Sequence, residues 1–303
     1  MVDYKNLSDY IDIKKHHRAL AILKVKNDEI VYEDYLNTNE NNLFNIASIS
    51  KFLIGLIIHR LQVNNKLSIE DKVEDYLDDF PYHLIKIKHL LYHESGIIDY
   101  YRLFEDEALY KVTNKIALDR VYQEPISVLP GTKFEYSNTN YVILYEIISK
   151  IKNKSFTEIL REELKIPLEG FKEYKSHRKD ILELLPSYDE KDKSILDSLT
   201  LGDGGFLANI HFFKLLIPWL HSQIQPSFFS VHKDKLNDDF SEHYEYGITV
   251  SPKDSIAFHY GMYMGYRSLF CANYQTKTSM MIMSNSSECT YDLRKRIMEE
   301  LIE

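Results

Sequence analysis

Apolar and polar positions change rhythm twice along this chain. Residues 19–26 are mostly apolar, Asn27-Asp28 interrupts them, and the pattern resumes through Glu29-Ile30-Val31-Tyr32. This predicts a β-hairpin with a polar turn. From Ser48 to about Trp219 the apolar residues recur at spacings of three and four, for example at Ala117-Leu118 and from Tyr141 to Ile151, which predicts helices. Toward the end, Tyr244–Val250, Ser255–Met262, Tyr266–Ala272 and Ser279–Ser284 read as short strands, and Tyr291–Ile302 as a helix. The order predicts an α+β fold in which strands from both ends form an antiparallel sheet flanked by helices. Residues 1–303 are expected to form a single unit, with an α/β lobe at approximately 1–50 and 240–303 and a mainly helical lobe at approximately 51–239.

Glycine is scarce, with ten in the chain, and clusters at Gly202–Gly205 and at Gly261 and Gly265. Such clustering predicts backbone that needs close approach or positive φ.

Candidate chemistry gathers at three places. Ser48-Ile49-Ser50-Lys51 sits where a polar stretch gives way to the apolar run Phe52-Leu53-Ile54. Residues three apart on a helix share a face, so a desolvated lysine there can take the serine proton. A serine in the first helical turn also feels the positive end of the helix dipole, which favours an oxyanion. The same spacing recurs at Ser149/Lys152, Ser176/Lys179 and Ser230/Lys233, so context selects the first.

The second place is Tyr136-Ser137-Asn138, which follows a Pro130-Gly131 turn. A tyrosine beside a lysine ammonium can shuttle a proton, and Asn138 offers both donor and acceptor to a substrate amide. Tyr35-Leu36-Asn37 has the same spacing but precedes the nucleophile in a predicted strand. The third is His259-Tyr260-Gly261, a strand running into a glycine-bearing turn. Gly261 would let a substrate lie against the strand edge, the N–H of Met262 would join that of Ser48 in facing an oxyanion, and His259 could bond a substrate carbonyl or carboxylate.

In this order the three motifs resemble Ser-x-x-Lys, Tyr-x-Asn and Lys/His-x-Gly of the serine β-lactamase and penicillin-binding protein superfamily. The likeness is strongest to its class C-type branch of β-lactamases, carboxypeptidases, D-amino-acid peptidases and esterases. Ile87–Tyr100 and Gly202–Gly205 add family-like stretches. The resemblance implies a β-lactamase/transpeptidase-like fold and acyl-enzyme chemistry without a cofactor. Ser48, Lys51 and Tyr136 would be catalytic, and Asn138, His259, Gly261 and Met262 would bind substrate. Many β-lactamases carry Lys-Thr-Gly at the third motif, whereas this chain has His259-Tyr260-Gly261, closer to peptidase and esterase members. Two readings stay open: a hydrolase of a small ester, peptide or β-lactam-like substrate, or a penicillin-recognising or ligand-binding module that does not turn over.

Charge narrows the partners. A formal net charge of −9 and 27% charged residues argue against nucleic acid or an anionic membrane. Residues 1–8 lack the basic start and apolar core of a secretory signal, so a cytoplasmic protein is expected. Cys271 and Cys289 are the two cysteines, expected as buried thiols. His89 and His93 share helical spacing beside Glu94, but the His-Glu-x-x-His order is absent and no metal site is expected.

Overall fold

The computed structural model describes residues 18–104, 109, 111–174, 183–188, 200–223, 228, 242–289 and 295. Two antiparallel strands, β1 (Leu20–Lys26) and β2 (Glu29–Leu36), form the expected hairpin. Positive φ at Asn27 and Asp28 turns the chain between them. These residue types tolerate the left-handed region better than most.

A short β3 (Phe44–Asn45) leads into α1 (Ile49–Val63). The helices α2 (Ile87–Leu91), α3 (Asn114–Val121), α4 (Asn138–Lys152) and α5 (Phe156–Leu164) follow. The strands β4 (Phe171–Glu173) and β5 (Phe206–Ala208) come next, then α6 (Ile210–Gln223). The chain returns through β6 (His243–Glu245), β7 (Ile248–Ser251), β8 (Ile256–Tyr263), β9 (Tyr266–Asn273) and β10 (Thr278–Ser284). The helix expected over Tyr291–Ile302 and the pairs Ser176/Lys179 and Ser230/Lys233 lie outside the described residues, Lys295 apart.

A seven-stranded antiparallel sheet runs in the order β2-β1-β10-β9-β8-β7-β6, so strands from both ends of the sequence meet at β1 and β10. A second sheet, β3-β5-β4, was not expected, because strands of two or three residues leave no alternation to read. The α+β class holds. Two helices assigned by sequence to the helical lobe pack on the large sheet. In α1, every residue from Ile49 to Ile58 is buried, and Phe52 stacks on Phe270 of β9 at 5.3 Å between ring centroids. α6 is tied down by His221 Nε2 at 2.9 Å from Ser279 Oγ and by the Lys214 ammonium at 2.7 Å from Glu33. A helix apolar on all sides must be covered on all sides, and α1 sits between the sheet and α4.

Candidate active site

The turn that follows β3 places the serine. Ala47 has φ of +50° and its N–H donates to Asn45 Oδ1 at 2.8 Å, so the chain turns sharply just before Ser48, the N-cap of α1. A non-glycine residue in the left-handed region marks a locally held conformation. Gly261 of β8 holds this turn from the other side. A Cβ on it would stand 1.8 Å from Ser268 Oγ, 2.7 Å from the Ile46 carbonyl oxygen and 3.2 Å from Ala47 Cβ. Ser268 in turn donates to that carbonyl at 2.8 Å. Only a glycine lets β8 lie directly against the residues that precede Ser48.

One turn into α1, Lys51 is fully buried, and its ammonium donates to three oxygens. These are Ser48 Oγ at 3.1 Å, Asn138 Oδ1 at 2.8 Å and the Asp203 carbonyl at 2.6 Å. Three acceptors match the three donors of an ammonium. The Nζ also stands 5.2 Å from the ring centre of Tyr136 and 6.0 Å from that of Tyr141, within cation–π range. The Tyr136 hydroxyl donates to Ser48 Oγ at 3.1 Å. The serine oxygen therefore stands between an amine and a phenol.

Asn138 opens α4, and Asp99 secures it. Asp99 Oδ2 accepts from the Asn138 N–H at 3.1 Å and from its Nδ2 at 2.8 Å. A carboxylate at a helix N-terminus is favoured by the free N–H groups and the dipole. With Oδ1 held by Lys51 and one amide hydrogen held by Asp99, Asn138 keeps its second amide hydrogen for another acceptor.

His259 is buried, and both of its ring nitrogens are engaged within the protein. Nε2 lies 3.0 Å from the Tyr244 hydroxyl and Nδ1 lies 2.7 Å from the Tyr260 carbonyl oxygen, which makes Nδ1 the donor. Burial, with the charge of Lys51 added, pushes its pKa down to about 3 against the pull of the Tyr260 carbonyl. The imidazole is neutral and already bonded, and it braces Tyr244. Met262 stands next to Gly261 with 68% of its surface exposed.

Sequence reasoning missed four residues. His93, with φ of +55° and no exposed surface, stacks on the Tyr136 ring at 4.3 Å between centroids. Its Nδ1 accepts from the Ser137 N–H at 3.2 Å and stands 3.1 Å from Asn140 Nδ2. Burial, helped by Lys51 and His259, holds its pKa well below the ordinary histidine value. His89, its expected helical neighbour, instead caps α2 by accepting the Lys86 N–H at 3.1 Å. Asp99, Tyr244 and Asp203 complete the set. His93 and Asp99 lie inside the family-like stretch Ile87–Tyr100, and Asp203 lies inside the glycine cluster, so their signal was positional; Tyr244 carried none. The alternative pair Ser149/Lys152 is elsewhere, on α4, where Lys152 pairs with Glu163 at 2.6 Å. Among the described residues no helix is long and apolar enough to cross a membrane.

A mixed α+β fold with a serine, a lysine and a tyrosine converging at the buried start of a helix defines the class of penicillin-recognising and related serine enzymes. The Beta-lactamase family model matches residues 5–181, and the chain belongs to this family. Penicillin-binding protein 4* of Bacillus subtilis is 32% identical over 167 residues, covering 51% of this chain and 37% of that protein. Teichoic acid D-alanine hydrolase of Staphylococcus aureus is 25% identical over 270 residues, covering 82% of this chain and 66% of that protein. Among solved structures, the penicillin binding protein from Bacillus halodurans shares the fold with a TM-score of 0.76 at 20% identity, covering 93% of this chain and 95% of that one.

Proposed function

We propose that this protein is a serine hydrolase that cleaves an ester or amide of a small acyl group through a covalent acyl-enzyme. The observation that carries the reading is the placement of Lys51 Nζ and the Tyr136 hydroxyl, each 3.1 Å from Ser48 Oγ. In the first step Ser48 Oγ bonds to the carbonyl carbon as its proton passes to Lys51, once that amine is neutral. The proton then moves by way of Tyr136 to the leaving oxygen or nitrogen, and the carbonyl carbon's bond to it breaks. Water repeats the sequence in reverse, with its proton drawn through Tyr136. The N–H groups of Ser48 and Met262 hold the oxyanion, a pairing favoured by the contact of Gly261 with Ile46 and Ala47. Asn138 steadies the substrate carbonyl with its remaining amide hydrogen.

Substrate class follows from charge. A neutral His259 replaces the cation that would grip a carboxylate at the third motif, which argues against efficient β-lactam turnover. The relative from Staphylococcus aureus is named for hydrolysis of D-alanine from teichoic acid, and a small aminoacyl ester fits the same lack of a carboxylate clamp.

The test is intact-protein mass after incubation with a fluorophosphonate or a penicillin, paired with turnover of a p-nitrophenyl ester, using Ser48→Ala as the control. One fluorophosphonate adduct on the Ser48 peptide, with ester turnover abolished in Ser48→Ala, is expected. Labelling without turnover would replace the hydrolase reading with that of a binding module. No adduct from either reagent would end the hydrolase reading and leave a binding module or a scaffold.

A further inference from the structure

The mechanism leaves one buried acid unused. Asp203 lies in Gly202-Asp203-Gly204-Gly205 with 3% of its surface exposed. Its carbonyl takes the Lys51 ammonium at 2.6 Å. Its carboxylate turns to a second anchor, with Oδ2 accepting the Tyr100 hydroxyl at 2.9 Å, and that hydroxyl lies 2.9 Å from Thr200 Oγ1. Thr200 also hydrogen-bonds the carboxylate, and Oδ1 is buried. The loop lies directly against its neighbours: a Cβ on Gly202, at φ of +108°, would stand 2.4 Å from the Tyr141 carbonyl oxygen, and one on Gly205 would stand 2.1 Å from that of Thr200. A carboxylate buried in the interior is costly unless a cation answers it. Lys51, likewise buried, is the cation its backbone touches.

We propose that the Asp203 carboxylate is the counter-charge of Lys51, a positioning residue that keeps the ammonium in register with Ser48 and governs when its proton leaves. The inference rests on the reading of Lys51 as proton acceptor to Ser48. Other titratable groups face Lys51: Tyr136 and Tyr141 by their rings, His93 and His259 as neutral imidazoles, and Asp99 one residue away through Asn138. Around Asp203 stand Tyr100, Tyr101 and Asp99 besides Lys51. Burial raises the Asp203 pKa, and Lys51 is the foremost influence opposing that rise, as a counter-charged pair requires.

Asp203→Asn keeps the backbone carbonyl and an acceptor for Tyr100 while removing the charge. The measurement is the pH profile of kcat/KM for a p-nitrophenyl ester, with the pH profile of fluorophosphonate labelling beside it. Loss of an anion favours the neutral amine, so the rising limb of both profiles is expected to move to lower pH by about one to three units. Asp203→Glu, which keeps the charge, is expected to stay near the wild-type limb. A folded Asp203→Asn protein whose limb matches wild type overturns the proposal. The reciprocal measurement holds even where that variant fails to fold. In Lys51→Met, the Asp203 carboxyl followed by 13C NMR is expected to titrate at a higher pH than in wild type, because coupling acts equally in both directions. An unmoved carboxyl overturns the proposal as well. Absence of fluorophosphonate labelling in the wild type would instead count against the hydrolase reading itself.

Discussion

Replacing Gly261 with alanine tests how Ser48, the proposed nucleophile, is held. The new Cβ would stand 2.7 Å from the Ile46 carbonyl oxygen, and ordinary contact begins near 3.4 Å, so the chain ahead of Ser48 must retreat by the difference. The nearest atom, Ser268 Oγ at 1.8 Å, can rotate away only by giving up its 2.8 Å bond to the same carbonyl. Losing that bond costs about 1 kcal/mol, and forcing a methyl into packed backbone about 1–3 kcal/mol more. At about 2–3 °C per kcal/mol for a chain of this size, the melting temperature is expected to fall by roughly 4–12 °C. A shift of this order at Ile46 and Ala47 carries Ser48 with it, and kcat/KM is expected to drop about 10²-fold. Calorimetry and ester hydrolysis on Gly261→Ala, Ser268→Ala and the double variant check the reasoning. Ser268→Ala in the double variant should recover part of the melting temperature, because it removes the closest clash, but not the rate, because the Ile46 carbonyl still blocks. A Gly261→Ala protein with wild-type melting and wild-type kcat/KM would refute the argument.

Tyr136→Phe removes the hydroxyl 3.1 Å from Ser48 Oγ and leaves the ring on His93, so steady-state kinetics should show kcat lower by about 10²–10⁴-fold with melting little changed. His259 and His93 both have native pKa values pushed below the ordinary 6.5, so the stability they contribute is complete above that pH and is lost as pH falls below it, toward about 3 for His259. Melting temperatures measured from pH 7 to 4 should decline accordingly, with a shallower slope in His259→Gln. Cys271 and Cys289 are buried, and burial pushes the Cys271 thiol up, so Ellman's reagent should titrate neither thiol in native protein and both in guanidinium.

The large sheet was legible because its strands are long enough to carry a pattern and are bounded by polar turns. The hairpin 19–32 and the strands ending at Ser284 fall where alternation and apolar runs put them. The convergence of Ser48, Lys51 and Tyr136 was legible because three spaced motifs constrain one another where any single one recurs by chance. What escaped was whatever depends on the third dimension. The φ of +50° at Ala47 does not show in the hydrophobic pattern, and the close approach of Gly261 to this turn joins residues more than two hundred positions apart. His259 has the right residue type for substrate binding, but its bonds to Tyr244 and Tyr260 come from tertiary packing that periodicity does not encode. The role of Asp99 at the start of α4 is likewise a contact between distant segments.

The seam between β1 and β10 sets the order of events during synthesis. Leu20 pairs with Ser284 and Lys26 with Thr278, so the middle of the sheet joins the first and last described strands. Until those last strands emerge from the ribosome, the apolar helix that carries Ser48 has no sheet to cover Phe52 and no Gly261 to hold its leading turn. Pairing across such a distance is slow and leaves apolar surface exposed to aggregation in the meantime. A nascent chain therefore carries Ser48, the proposed nucleophile, early but becomes able to use it only once β8 to β10 have joined the sheet, which makes labelling of Ser48 in stalled chains a reporter of sheet completion.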